Sequence, residues 1–225
     1  RAGRLSDADW DELEACLSCG IGACNTMGTA STMAQLSEAL GFMLPGAGAI
    51  PTSDARLVAA ADASGRRAVE LVREDLRPSR ILTPASVDNA ITVLAAIAGS
   101  TNAVIHLCAI AGRRAIRPPL ERFDELSRRV PVVADMAPSG THLMDAFFAA
   151  GGLPTVLREI EPFLDTTTVG VTGRPLSVDL AQGSFDDVPN DVDYGCSFAV
   201  VKSNKWEIDL AGNAEAAGLL MAHCR

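Results

Sequence analysis

Apolar residues recur three and four positions apart through most of the chain, and this spacing predicts a succession of helices. A first helix opens at Ser6-Asp7-Ala8-Asp9 and carries Trp10, Leu13 and Leu17 on one side. Met33, Leu36 and Leu40 share a face of a second, over residues 29–40, which Gly41 closes. A long helix is predicted over residues 54–76, with Leu57, Val58, Ala61, Val69 and Val72 turned inward and Gly65 weakening its middle. Thr83-Pro84 joins a capping residue to a proline at the first helical position, opening a helix through Val87, Ile91 and Leu94 to about Ala98. Gly99-Ser100-Thr101-Asn102 interrupts the pattern before a further apolar helix, residues 103–113. Pro118-Pro119 breaks it again, and short helices are predicted at residues 120–128, 143–150 and 153–163.

Two short runs have a different character. Val130-Pro131-Val132-Val133-Ala134-Asp135 is β-branched and reads as a strand, and residues 166–171 read as a second. Helices separated by short buried strands predict an α/β fold, a helix-rich layered domain around a short, mainly parallel sheet. This domain is expected to cover residues 1–182. The remainder, 183–225, is acidic and turn-rich, with Asp186, Asp187, Asn190, Asp191 and Asp193, then a strand-like Phe198-Ala199-Val200-Val201 and a weak helix at 211–223.

Composition narrows the function classes. A formal charge of -9 argues against non-specific nucleic-acid binding, which needs a basic face. No apolar run approaches the roughly 20 residues of a membrane span. Aromatics are only 4% of the chain, so Ala, Leu, Val and Ile must fill the core. The six cysteines are Cys16, Cys19, Cys24, Cys108, Cys196 and Cys224, too sparse for a disulfide scaffold. Reduced thiols and a cytoplasmic location are therefore expected. The chain opens at Arg1 in a polar stretch, and its true N-terminus is expected upstream.

The chemistry concentrates at Cys24-Asn25-Thr26-Met27-Gly28-Thr29. A thiol in a glycine-flanked loop ahead of a helix start meets free N–H groups and the positive end of the helix dipole, which favour the thiolate. A thiolate is what an iron–sulfur cluster requires. The spacing also allows a plain buried cysteine at a helix start, or part of a zinc site with Cys16 and Cys19, though a fourth ligand is missing nearby. Gly20-Ile21-Gly22 is a poor dinucleotide loop, because Asn25 stands where the third glycine belongs. Ser100, Thr101 and Asn102 form a polar break that can face an anion or merely join two helices. His106, on an apolar helix, is expected to be a satisfied core residue.

Three long segments carry a resemblance: residues 24–51 (CNTMGTASTMAQLSEALGFMLPGAGAIP), 80–111 (RILTPASVDNAITVLAAIAGSTNAVIHLCAIA) and 128–160 (RRVPVVADMAPSGTHLMDAFFAAGGLPTVLREI). In this order they resemble the dihydroxy-acid, phosphogluconate and sugar-acid dehydratases, nearest the sugar-acid branch, over roughly residues 2–180. The resemblance implies part of that family's N-terminal domain and a hydro-lyase that converts a dihydroxy acid or aldonate to a 2-keto-3-deoxy acid. It implies an iron–sulfur cluster, of the 2Fe-2S rather than the 4Fe-4S type, acting as a Lewis acid, together with Mg2+. Cys24 matches the third cysteine ligand, while the other two, and a magnesium motif, are expected upstream of Arg1. A serine base is expected in a C-terminal barrel, so no catalytic base falls among these residues and the chain alone is expected to be inactive. Ser100, Thr101 and Asn102 are the expected substrate-binding residues. The resemblance further implies a small hydroxy-acid substrate, no nucleic-acid or membrane partner, and a homodimer or homotetramer. A dihydroxy-acid dehydratase of branched-chain amino-acid synthesis and an inactive remnant of the same fold stand as alternatives.

Overall fold

The computed structural model describes Ser6 and residues 24–181. The helix predicted from Ser6, both Cys16 and Cys19, and the segment 183–225 with Cys196 and Cys224 lie outside the described residues.

The described chain is built from helices α1 (Thr29–Ala39), α2 (Ala55–Arg73), α3 (Pro78–Ile81), α4 (Pro84–Ala96), α5 (Asn102–Gly112), α6 (Leu120–Ser127), α7 (Met144–Ala149), α8 (Gly152–Glu159) and α9 (Leu176–Ala181), with 3-10 turns at Ala47–Ala49 and Glu161–Phe163. The periodic segments therefore became helices close to their predicted bounds. Helix α4 is the centre. Thr83 and Ser86 form a capping box at its start, with Pro84 in the first turn. Val87, Ala90, Ile91, Val93, Leu94 and Ala96 are all buried, and α1 and α6 pack beside it. Each large apolar side chain removed from water here contributes about 1.5–3 kcal/mol before the cost of ordering it.

Two helix ends place the parts of the site. Helix α1 stops at Gly41 in the left-handed conformation (φ 87°), where Phe42 N–H donates to the Ser37 carbonyl (2.9 Å) and Gly41 N–H to that of Glu38 (2.8 Å). Helix α4 stops the same way at Ala98 (φ 46°), with Gly99 N–H donating to the Leu94 carbonyl (3.0 Å). A Cβ on Gly99 would lie 2.8 Å from both Leu94 and Thr32 side-chain carbons, so only glycine lets the α4–α5 joint press against α1.

The predicted sheet is not found: among the described residues the only β pairings are isolated bridges, Met136 with His142 and Val169 with Pro175. Local hydrogen bonds explain both missing strands. Pro131 has no N–H, Val133 N–H donates to the Ala96 carbonyl at the end of α4 (2.8 Å), and the chain then folds back on itself. The carbonyls of Thr166 and Thr168 accept from Ser177 and Leu176 at the start of α9, while buried Asn89 bonds to the backbone of Asp165 in both directions. These bonds take up backbone groups that strand pairing would use.

Two burial expectations are corrected. On α2, Leu57 is half-buried, but Val58, Ala61, Val69 and Val72 are exposed and no residue of the helix is buried. The body lies against the other side of this helix, where Arg67 donates to the Val171 carbonyl (2.5 Å). His106 is likewise exposed, because α5 buries only the stripe Ala103, Leu107 and Ala111.

Candidate functional site

Cys24 is half-buried in the loop before α1, whose N-cap position, Gly28, offers no side chain to the first-turn N–H groups. The Thr26 hydroxyl lies 3.6 Å from Cys24 Sγ. The Thr26 backbone N–H and hydroxyl, assisted by the Ser31 hydroxyl and the Gly28 N–H, stabilise the thiolate against partial burial and hold the thiol below its ordinary range. A Cβ on Gly28 would come within 3.5 Å of Sγ and 3.6 Å of the Thr26 hydroxyl. Glycine thus keeps one side of the sulfur open.

The loop is fixed from two directions. Met27 N–H donates to the Ala137 carbonyl (2.8 Å), and Met144 N–H donates to the Asn25 carbonyl (2.9 Å). Ala137 lies within, and Met144 directly follows, the doubled-back segment 135–143, which contains the cis Ala137–Pro138 peptide. Within it His142 N–H donates to the Asp135 carbonyl (3.0 Å), and the Thr141 hydroxyl donates to the Asp135 carboxylate (2.7 Å). His142 Nε2 stands 3.9 Å from that carboxylate.

The polar break after α4 arrives at the same helix start. Thr29 Oγ1 lies 3.0 Å from Ser100 Oγ and accepts from Asn102 Nδ2 (2.9 Å). Ser100 N–H donates to Thr32 Oγ1 (3.0 Å), whose hydroxyl reaches the Met27 carbonyl (3.4 Å). Ser100 and Asn102 are thereby joined through α1 to the loop that carries Cys24. Thr101 is exposed beside them and enters none of these bonds. Sequence reasoning missed Thr29 and Thr32 as the connecting hydroxyls, and it read Pro138-Ser139-Gly140 only as a turn. The available signal was the threonine spacing itself, since positions 29 and 32 fall on one helix face.

Cys24 is the single thiol of this junction among the described residues. Cys108 sits half-buried on α5, and no group of three or more His, Cys, Asp or Glu converges as a metal site among the described residues. The arrangement offers one acidified sulfur and, joined to its loop through α1, hydroxyl and amide groups suited to a hydroxylated anion.

Comparison with known proteins places the chain in a family. The family pattern for the dihydroxy-acid/6-phosphogluconate dehydratase N-terminal region matches residues 1–179. The 6-deoxy-6-sulfo-D-gluconate dehydratase of Pseudomonas putida is 39% identical over 213 residues, 91% of this chain and 37% of that protein. The L-arabinonate dehydratase of Rhizobium leguminosarum bv. trifolii is 51% identical over 160 residues, 71% of this chain and 28% of that protein. A dihydroxy-acid dehydratase of Natronomonas pharaonis is 40% identical over 199 residues, 87% of this chain and 34% of that protein. The chain spans about a third of the length of these relatives.

Proposed function

The chain belongs to the dihydroxy-acid/6-phosphogluconate dehydratase family, and from that premise we propose that it forms part of a hydro-lyase acting on a sugar acid or dihydroxy acid, with Cys24 as one thiolate ligand of an iron–sulfur cluster. The observation that carries the reading is the acidified Cys24 thiol at the start of α1, tied through Thr32 and Thr29 to Ser100 and Asn102.

The donor chemistry fits one corner of a cluster: a thiol held below its ordinary range by nearby N–H and hydroxyl donors, partly accessible, with a glycine leaving room at the sulfur. When bound, the cluster would supply a Lewis acid to a departing hydroxyl. The residues of this chain have the positioning work. The Asn102 amide and the Ser100 hydroxyl hold the hydroxyls and carboxylate of the substrate, with exposed Thr101 at the rim. The Met27–Ala137 and Asn25–Met144 bonds keep the sulfur from swinging away. No magnesium ligand is assigned among the described residues. Domain limits of 1–182 and 183–225, a 2Fe-2S cluster, and a homodimer or homotetramer complete the proposal. No described helix is long and apolar enough to cross a membrane.

Within the substrate class we favour an aldonate, since the likeness to L-arabinonate dehydratase is the higher in identity. The 40% identity to a dihydroxy-acid dehydratase supports the second reading, a branched-chain dihydroxy acid.

The test uses a protein of the relatives' length that carries this chain. Keto-acid release is measured with L-arabinonate, D-gluconate and 2,3-dihydroxyisovalerate, alongside iron and sulfide content. Cys24→Ser is expected to lower iron and turnover together, and Asn102→Ala to raise KM more than it lowers iron. Full iron loading in Cys24→Ser removes Cys24 from the ligand set. In the isolated 225-residue chain, alkylation of Cys24 is expected to set in at lower pH than that of an ordinary thiol, and no dehydration is expected.

A further inference from the structure

The turn at Pro138-Ser139-Gly140 closes a chain reversal, and one carboxylate spans it. Three backbone bonds fold residues 135–142 back on themselves. Gly140 N–H donates to the Met136 carbonyl (2.7 Å), Ala137 N–H to that of His142 (2.8 Å), and His142 N–H to that of Asp135 (3.0 Å). A Cβ on Gly140 would collide with Asp135 Oδ1 and come within 2.7 Å of Met136 N, so only glycine lets the two arms close here. The other carboxylate oxygen, Asp135 Oδ2, accepts from the Thr141 hydroxyl (2.7 Å) and stands 3.9 Å from His142 Nε2. Asp135 thus meets residues 140, 141 and 142 of the returning arm with a single side chain.

What the reversal holds is the cysteine loop. The Ala137 carbonyl, inside it, accepts Met27 N–H, and Met144 N–H, just beyond it, donates to the Asn25 carbonyl. Asn25 and Met27 are the chain neighbours of Thr26, whose hydroxyl lies 3.6 Å from Cys24 Sγ. The two anchors therefore grip the loop on either side of the residue that faces the sulfur. The Asp135 side chain is 58% exposed, whereas Ala134 and Met136 on either side of it are buried. Apolar packing thus seats the segment on the body, and the carboxylate sets only the shape of the reversal.

We propose that Asp135 is a positioning residue for Cys24: bonded to Thr141 and packed on Gly140, its carboxylate keeps the reversal in the shape that anchors both sides of the cysteine loop, and so fixes the sulfur for its iron. The inference rests on the reading of Cys24 as a ligand, and the two fail separately. Full iron loading in Cys24→Ser removes the ligand, whereas an unmoved loop in an Asp135 variant removes the clasp.

The test follows the loop in the 225-residue chain by hydrogen exchange of the Met27 and Met144 amides. Peptide-resolved labelling of Cys24 with a bulky maleimide accompanies it, with Cys108 as the internal reference. Asp135→Ala is expected to speed exchange and relative labelling about fivefold, the population change that one lost hydrogen bond corresponds to. Asp135→Asn keeps an acceptor for Thr141 and is expected to restore most of the wild-type behaviour. Ser139→Ala, exposed on the same turn and outside these bonds, is expected to change neither rate. Exchange of the Val133 amide, bonded to Ala96, is expected to stay as in the wild type, and the melting temperature to fall by no more than about 4 °C. In a protein of the relatives' length, Asp135→Ala is expected to lower iron content and shift the visible absorption of the cluster that remains. There kcat with L-arabinonate is expected to fall while KM holds, the reverse of Asn102→Ala. Unchanged exchange at Met27 and Met144 overturns the proposal, and so does a loosened loop with wild-type iron content and absorption. If Asp135→Ala unfolds the chain, Thr141→Val, which removes only the bonded hydroxyl, decides by the same two rates: faster exchange and labelling support the clasp, and wild-type rates sink it.

Discussion

Helices α4 and α2 start equally well and end in opposite environments. Thr83 caps α4 and Asp54 caps α2, each accepting a backbone N–H of the first turn. Apolar residues recur at helical spacing in both. Yet nine residues of α4 are buried and none of α2 is, so the same local signal accompanies a core in one case and a bare surface in the other. Periodicity fixes which residues share a side of a helix. What covers that side depends on the rest of the molecule and its partners.

The contrast can be broken by substitution. Ile91→Ala, in the middle of α4, is expected to cost about 3 kcal/mol in urea unfolding, since it empties a filled site. A loss below about 1 kcal/mol would mean that α4 is not the core. Glu38, buried at the end of α1 against the turn at Gly46 and Gly48, gives the next effect. Burial pushes its carboxyl up to about 7, although the Gly46 and Gly48 N–H groups favour the charged form. The folded chain therefore keeps a proton that the unfolded chain releases. The stability this provides is complete below about pH 4.5 and is lost as pH rises toward 7, by roughly 3 kcal/mol for a shift of this size. Comparing the pH profile of unfolding with that of Glu38→Gln isolates it; parallel profiles would contradict the assignment. Thr83→Ala and Asp54→Ala should each cost about 1 kcal/mol, the usual worth of a cap. Asp54 differs in pH behaviour: Arg56 holds its carboxyl down at about 2, so its contribution is present above the ordinary Asp range and fades as pH falls toward 2. Smallest of all, Val72→Ala on the outer side of α2 should change the stability of the dilute chain by less than about 0.5 kcal/mol. A larger loss would show that the valine is covered within one chain.

The sequence showed the helices well because capping residues and apolar spacing are local. Gly41 as a helix stop, Thr83-Pro84 as a start and the break at Gly99 are each written in neighbouring residues. The sheet was misread because Val130 to Asp135 has strand composition, while strand formation needs a partner that spacing does not reveal. The site was half legible. Cys24 and the polar break at residues 100–102 stood out, and the structure joins Ser100 and Asn102 to the Cys24 loop. The joining hydroxyls, Thr29 and Thr32, look in sequence like any threonines in a helix, and their role depends on Gly99 letting two elements touch.

The two backbone bonds that pin Asn25 and Met27 to the far segment have a bearing on biogenesis. Those partners are synthesised more than a hundred residues after the cysteine. During translation the loop that carries the sulfur thus waits for its anchors, although the groups that lower the thiol, Thr26, Ser31 and Gly28, are its own near neighbours in sequence. The sulfur's position, unlike its acidity, is therefore settled only once the later stretch has docked.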